Sequence, residues 1–344
     1  MTLHPRQLIA GFRAAAGDFS EGPVRSALGT MLAPDAKLHL CHPFGTVHGP
    51  DGLWQTAFAP LLAALPDLER RDTIVVAGRT PEGADWIGTT GHYMGTFLRP
   101  FLDMPPTGHV AALRYAEFFR RDAGRVAEMQ AIWDIPALMI ASGTWPFAPS
   151  LGREILVPGP MTGDGLGPHD PALSDATRDT VIAMLTAMKR HPDEPPEAME
   201  LPRFWHPKMM WYGPGGIGTA RGLAGFRNWH QIPFLAAMPD RGRHPDRTEP
   251  HFFAEGAYAA VTGWPDMAQT LTGAGWLGLP ATGAPITMRS LDFWRLEGGL
   301  IRENWVLVDL LHVMDQIGLD PLARLREFNK ARTGFDPGTG RALP

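Results

Sequence analysis

The sequence predicts an α+β protein made of two tandem copies of one unit. Three observations predict it: an internal repeat, an order of helices followed by long strands inside each copy, and a proline- and glycine-rich stretch between the copies. Residues 31–68 and 204–241 align without a gap, and 11 of 38 positions are identical, among them Pro34/Pro207, Gly45/Gly218, Thr46/Thr219, Pro60/Pro233 and Asp67/Asp240. Residues 105–134 and 280–309 share nine of 30, including Thr107/Thr282, Arg114/Arg289, Phe118/Phe293, Glu128/Glu303 and Asp134/Asp309. The blocks keep their order at offsets of 173 and 175, a period too long for a solenoid and right for a duplicated domain. A chain of 344 residues at roughly 150 per domain agrees with two.

Each copy begins with apolar residues at helical spacing, Pro5–Ala16 in the first and Asp175–Arg190 in the second, where Ser174 has the character of an N-cap. A further helix follows Gly52 or Gly225 and ends near Pro66-Asp67 or Pro239-Asp240. Strand-like runs come next in the first copy at 72–78, 85–93, 111–121 and 125–134, with a turn at Gly124. The second copy repeats them at 251–264, 286–296 and 300–309, with a turn at Gly298-Gly299. Helices first and a strand meander afterwards indicate α+β, because a parallel α/β fold would alternate the two. Between the copies, residues 144–171 hold six prolines and five glycines and read as a linker. The expected boundaries are 1–143 for the first domain, 144–171 for the linker, 172–326 for the second domain and 327–344 for a C-terminal tail.

Composition limits the function classes. With 31 Lys+Arg against 36 Asp+Glu and no run of five like charges, the chain lacks the basic stripe that displaces counterions from phosphate, so nucleic acid is not an expected partner. The N-terminal stretch is interrupted by His4, Arg6, Gln7 and Arg13 and does not read as a signal peptide. The most apolar stretch, 133–141, contains Asp134 and Pro136 and falls short of a membrane span. The single cysteine, Cys41, has no internal partner for a disulfide and suits a reducing compartment. The expectation is a soluble cytoplasmic protein with no membrane contact.

The stretch LPATGAPITMRSLDFWRLEGGLIRENWVLVDLLHVMDQIG (279–318) resembles the C-terminal half of SnoaL-like polyketide cyclases, within the NTF2-like superfamily. The resemblance rests on the Pro-x-Thr-Gly turn, the Asp-Phe-x-Arg strand, the glycine hairpin, Glu-x-x-Trp-x-x-x-Asp and a closing Gln-x-Gly. The first copy follows with MPPTGH (104–109), EFFRR (117–121) and Glu128/Asp134, although Gln130 stands at the tryptophan position. It carries Gly91-His92-Tyr93-Met94-Gly95 where the family often has Gly-x-His-x-Gly, and the second copy has Gly263-Trp264-Pro265-Asp266, with no histidine. The resemblance implies a curved antiparallel sheet wrapped by helices into a cone around an apolar cavity, twice. It implies acid/base roles for Asp309 and Asp134 and pocket positions for Trp305, His92 and Tyr93. Because many single-unit members pair through their sheets, it also implies that the two copies pack as an intramolecular pseudo-dimer, in place of a partner chain.

Read as residues alone, a carboxylate ending an apolar strand beside tryptophan loses hydration, its pKa rises, and it can move protons at an activated carbon. The same position also suits a helix N-cap, and both readings of Asp134 and Asp309 stay open. Glu117 and Asp292 occupy equivalent strand positions, either as further cavity carboxylates or as partners of Arg120 and Arg295. Trp133, Trp264, Trp229, Trp54 and His48 complete the candidate substrate-binding set. The cluster His39, Cys41, His42 and His48 has zinc-ligand types, but alternation separates them on a strand and the second copy has no counterpart, so no metal is expected. Gly213-x-Gly215-x-x-Gly218 lacks the βαβ context of a dinucleotide site. The expected function is a cofactor-independent acid/base enzyme, a cyclase, aldolase-type lyase or isomerase acting on a hydrophobic aromatic or polyketide-like molecule. The alternatives are a dehydratase on a similar substrate and a non-catalytic binding or assembly protein.

Overall fold

The computed structural model describes residues 5–191, 193–241 and 248–332. In the first unit, strands β1 (Leu32–Leu40), β2 (Thr46–His48), β3 (Glu69–Arg79), β4 (Asp85–Thr96), β5 (Val110–Asp122) and β6 (Arg125–Trp133) form one sheet in the order β2-β1-β6-β5-β4-β3. The second unit repeats this with β7 (Trp205–Tyr212), β8 (Thr219–Arg221), β9 (His251–Glu255), β10 (Tyr258–Thr262), β13 (Ser290–Glu297) and β14 (Leu300–Val308), in the order β8-β7-β14-β13-β10-β9. A small ribbon of β11 (Met267–Thr270) and β12 (Pro285–Met288) extends it.

Both sheets are mixed rather than wholly antiparallel as expected, because β1 pairs with β6 and β7 with β14 in parallel. The reason is the route of the chain. After β1 and β2 the helical segment crosses to the far edge, and the meander from β3 returns β6 beside β1 running in the same direction. The helical segment expected after Gly52 begins earlier and is continuous over Gly49–Leu53, Trp54–Phe58 and Ala59–Ala64, with a π-turn in the middle, and Gly222–Phe226, Arg227–Gln231 and Ile232–Ala237 repeat it. Ser174 is the first residue of its helix rather than the cap, and its hydroxyl instead accepts from Gly256 N, in the turn that splits 251–264 into β9 and β10. The helix Pro321–Arg332 runs through the expected start of the tail, and residues 333–344 lie outside the described residues. Among the described residues no helix is long and apolar enough to cross a membrane.

The outer faces of the two sheets meet each other. Phe118 of β5 contacts Phe253 and Phe293 at ring distances of 5.7 and 5.0 Å, and Thr262 bonds Gln130. Gly88 sits under this contact, where a Cβ would lie 3.0 Å from Phe293 and 3.1 Å from Phe118, so a side chain would push the sheets apart. Residues 144–171 are docked on both units: Val75 donates to Gly165 O, Arg153 pairs with Thr219 in a short bridge, and Trp305 Nε1 donates to Pro158 O.

Candidate functional site

The inner face of the second sheet lines a cavity of about 300 Å³. Strand alternation selects its wall. On β13 the inward residues are Ser290, Asp292 and Trp294; on β14 they are Asn304, Val306 and Val308. Asp292 sits directly between Val261 and Val306 on the neighbouring strands, so two aliphatic side chains flank its carboxyl group. The roof comes from the helix Ser174–Met188, through Ile182, Leu185 and Met188, and from Phe226, His230 and Phe234 around the second π-turn. π-Turns recur at functional positions because they displace a side chain from the regular helical stripe. Here His230 lies flat on Trp211, with ring centroids 4.0 Å apart and an interplanar angle of 15°.

Two carboxyl groups share this cavity. Burial raises Asp292 well above the ordinary aspartate range, the charge of Asp266 pushes it the same way, and the Arg241 guanidinium opposes both. Its Oδ1 is sealed and has no hydrogen-bond partner, so this partly buried side chain meets the cavity through Oδ2. Burial also raises Asp266, to about 6, against the bonds it accepts from Ser290 N and Ser290 Oγ, both 2.8 Å. The Arg241 guanidinium is itself pushed down by burial, while both carboxyl groups pull it up. His230 is lowered to about 3, by burial first and then by Arg241, and is therefore neutral. Neighbouring carboxyl groups whose surroundings raise their proton affinity are a usual arrangement for moving protons.

Asp266 reaches this position through a break in the sheet. In the first unit β4 and β5 run uninterrupted, whereas in the second the corresponding path is split into β10/β11 and β12/β13. Thr90 and Thr262 hold equivalent places, as do Thr96 and Thr270, which bond Asp67 and Asp240; two more residues separate the pair in the second unit. Those residues bracket Trp264-Pro265, and proline has no N–H for the ladder. The Asp266 carboxylate takes the Ser290 N–H that the interrupted ladder leaves without a strand partner.

The first unit fills the same space. Glu117, at the position of Asp292, accepts from Arg70 Nη1, from Tyr93 OH at 2.9 Å and from Trp133 Nε1 at 3.1 Å. Arg70 continues to Thr89 at 2.8 Å and Asp72 at 2.9 Å, its guanidinium 4.1 Å from the Tyr115 ring centre. By the 175-residue spacing, Tyr115, Glu117 and Trp133 correspond to Ser290, Asp292 and Val308, and by strand register Tyr93 corresponds to Met267, all smaller or more flexible. That loss of bulk leaves the second interior open.

The expected site residues divide accordingly. Glu117, Tyr93 and Trp133 come together in the filled interior, and Asp292 stands in the open one. Asp134 and Asp309 sit elsewhere. Each caps the helix after its strand, accepting from Ala137 N and His312 N at 3.2 Å. Each pairs with an arginine, Arg114 at 2.9 Å and Arg289 at 3.2 Å. Each also accepts a backbone N–H from the other unit, Gly215 N for Asp134 and His42 N for Asp309, both at 3.0 Å. Burial raises Asp309, and Arg289 opposes the shift. Trp305 has the opposite parity to Asn304 and Val306, and its indole bonds the linker. His92 is buried opposite Arg114 on β5 and lowered to about 4, by burial and then by Arg114. Trp264 packs on His39 of the first unit and under Arg289. Trp54 is buried against Phe19, His48 is exposed on β2, and Trp229 is 50% exposed beside a small groove with Leu151. In the His39 cluster, Cys41 is buried against the Trp133 backbone while His39 bonds Thr46. Sequence reasoning gave Asp266 and Arg241 no role. The repeat equivalence of Asp292 with Glu117 carried the signal for Asp292, but the break that turns Asp266 inward has no counterpart in the first copy from which to infer it.

Two family profiles match the chain: a SnoaL-like domain over residues 10–129 and SnoaL-like polyketide cyclase over residues 195–317. Among solved structures, it is similar to IdmH of Streptomyces antibioticus, described as a candidate polyketide cyclase, with 24% identity over 41% of this chain and 98% of that one, at a TM-score of 0.34. A candidate SnoaL-like polyketide cyclase from Jannaschia sp. CCS1 has 25% identity over 41% and 92%, also at 0.34. AclR of Streptomyces galilaeus, described as a candidate hydroxylase, has 19% identity over 42% and 83%, again at 0.34. No curated protein sequence matches.

Proposed function

The chain is a tandem SnoaL-like protein, and from this premise we propose that its second unit is a cofactor-independent acid/base enzyme acting on a hydrophobic ketone. The observation that carries this reading is a pair of carboxyl groups, Asp292 and Asp266, on the lining of one largely apolar cavity, both with proton affinity raised by burial. With Asp266 ionised and Asp292 in the neutral form that its burial favours, Asp266 takes the proton from the carbon beside the carbonyl as Asp292 gives its proton to the carbonyl oxygen. The product is the neutral enol, and the two groups have exchanged roles. Aldol closure, retro-aldol cleavage and isomerisation all pass through this enol. Cyclase, lyase and isomerase therefore remain members of one class here. The filled first interior serves as support.

The test is hydrogen exchange at C2 of 1-tetralone in D2O, followed by NMR. The wild-type protein accelerates exchange over buffer, and Asp292→Asn lowers the acceleration about 100-fold or more, the usual loss for a positioned acid or base. No acceleration by the wild-type protein defeats the reading. Loss in Asp309→Asn with full activity in Asp292→Asn returns the role to the strand-end aspartate.

A second proposal concerns Asp134 and Asp309. Gly215 and His42 are repeat-equivalent, as are the two aspartates, so the cross-unit bonds are reciprocal. Reciprocity of this kind marks an isologous contact. We propose that the two units form an intramolecular pseudo-dimer held by these two clasps.

A further inference from the structure

We propose that His230 is the specificity-determining residue of the second-unit cavity, donating a hydrogen bond from Nε2 to an oxygen of a compact, flat ketone of one or two rings. The proposal rests on the preceding assignment of the cavity as the substrate site and adds the class of molecule that fills it.

Four observations carry it. The His230 side chain is partly buried and lines the cavity, while its Nδ1 is sealed from solvent without a partner. The exposed part of the ring therefore includes the Nε2 side. A neutral imidazole carries a single proton, and burial keeps this one neutral. An unpaired buried N–H is harder to tolerate than an unpaired ring acceptor, so the proton belongs on Nε2, facing the cavity. Second, the ring is fixed: Trp211 stacks on it at 4.0 Å, and Phe226 and Phe234 bracket it at 5.5 and 5.7 Å. A donor held in an aromatic box points in one direction and suits a flat ligand. Third, the equivalent residue in the filled first unit is Ala57, so the polar group occurs where the interior is open. Fourth, the cavity of about 300 Å³ lies at the small end of ligand pockets, which run from about 300 to 1,000 Å³, and this favours one or two rings over an extended polycycle.

Asp292, whose burial favours the neutral acid, is the second donor of the same cavity, with Oδ1 sealed like His230 Nδ1. These two donors sit among Phe226, Phe234, Val261 and Val306 on a lining that also carries Arg241, Lys189 and Glu249, and they suit a ligand that is mostly hydrocarbon and presents oxygen acceptors. A hydrocarbon of the same shape fills the space and leaves the donors unpaired.

The probes are 1-tetralone and tetralin, which share a bicyclic frame and differ by the carbonyl oxygen, measured by equilibrium dialysis against the full chain. The wild-type protein binds 1-tetralone at least about tenfold more tightly than tetralin, the difference expected when a buried donor gains or loses its acceptor. His230→Phe lowers that preference about tenfold while tetralin binding stays within about threefold. His230→Gln, which restores an N–H donor, keeps the preference and guards against a folding defect in the phenylalanine variant. Equal binding of the two probes by the wild-type protein, or an unchanged preference in His230→Phe, overturns the proposal. Failure of the exchange assay with the preference intact counts against the acid/base reading alone, so the two can fail separately.

Discussion

Glu117 and Asp292 stand at equivalent strand positions, yet their surroundings give them opposite roles. Glu117 has an arginine, a tyrosine and a tryptophan as hydrogen-bond donors, whereas Asp292 has valines on both neighbouring strands and one oxygen without a partner. A carboxylate needs compensation for lost hydration; without it the neutral acid is preferred. Asp266 gives the clearest pH prediction. Exchange activity rises with pH through about 6 as Asp266 ionises, and loses that limb in Asp266→Asn. Stability runs the other way. The folded pKa of Asp266 lies above its unfolded value, so its contribution is full below about pH 4 and is lost as pH rises through about 6. Asp266→Asn, neutral throughout, should therefore be more stable than wild type at pH 8, with the gap shrinking towards pH 4, as read from urea midpoints.

At the level of elements, one strand contributes its two faces to different tasks. Asn304, Val306 and Val308 of β14 line the cavity, while Glu303 and Trp305 bond the linker through Met161 N and Pro158 O. A one-residue shift of register exchanges these faces. Single cysteines introduced at 304, 306 and 308 in a Cys41→Ser background should react with a small thiol reagent and be protected by 1-tetralone. A cysteine at 305 should show no protection, and protection there would reverse the face assignment. The break between β10 and β11 is the other decisive element. It is the local difference from the first unit that supplies a second carboxyl group.

Across the whole molecule, the residues that most clearly betray the duplication, Arg114/Arg289 and Asp134/Asp309, recur in the clasps between units. Arg114 extends its clasp by donating to Gly213 O at 2.7 Å and Val306 O at 3.1 Å in the second unit. Removing one partner of a buried ion pair typically costs about 3–5 kcal/mol, because the other charge is left uncompensated. Asp134→Asn should therefore lower unfolding stability by an amount approaching that range in urea titration, and folded protein should retain exchange activity. Solution mass should correspond to one chain, since the sheet faces are already covered; a stable two-chain species would contradict the pseudo-dimer.

Repeated local patterns of turns, strands and spacing carry the tandem arrangement, the α+β class and the family, so these are legible along the chain without any tertiary contact. The sequence also named Asp292 among the candidate cavity residues, from its strand position equivalent to Glu117. Which interior stays open, which face of β14 meets it and why Asp134 and Asp309 point across the unit boundary were decided by tertiary structure alone. Side-chain volume against a curved sheet, a strand break that redirects Asp266, and the apposition of two sheet faces depend on residues far apart in the chain. The resemblance in sequence was to a single unit, and the contacts that set the aspartates' roles exist only between two.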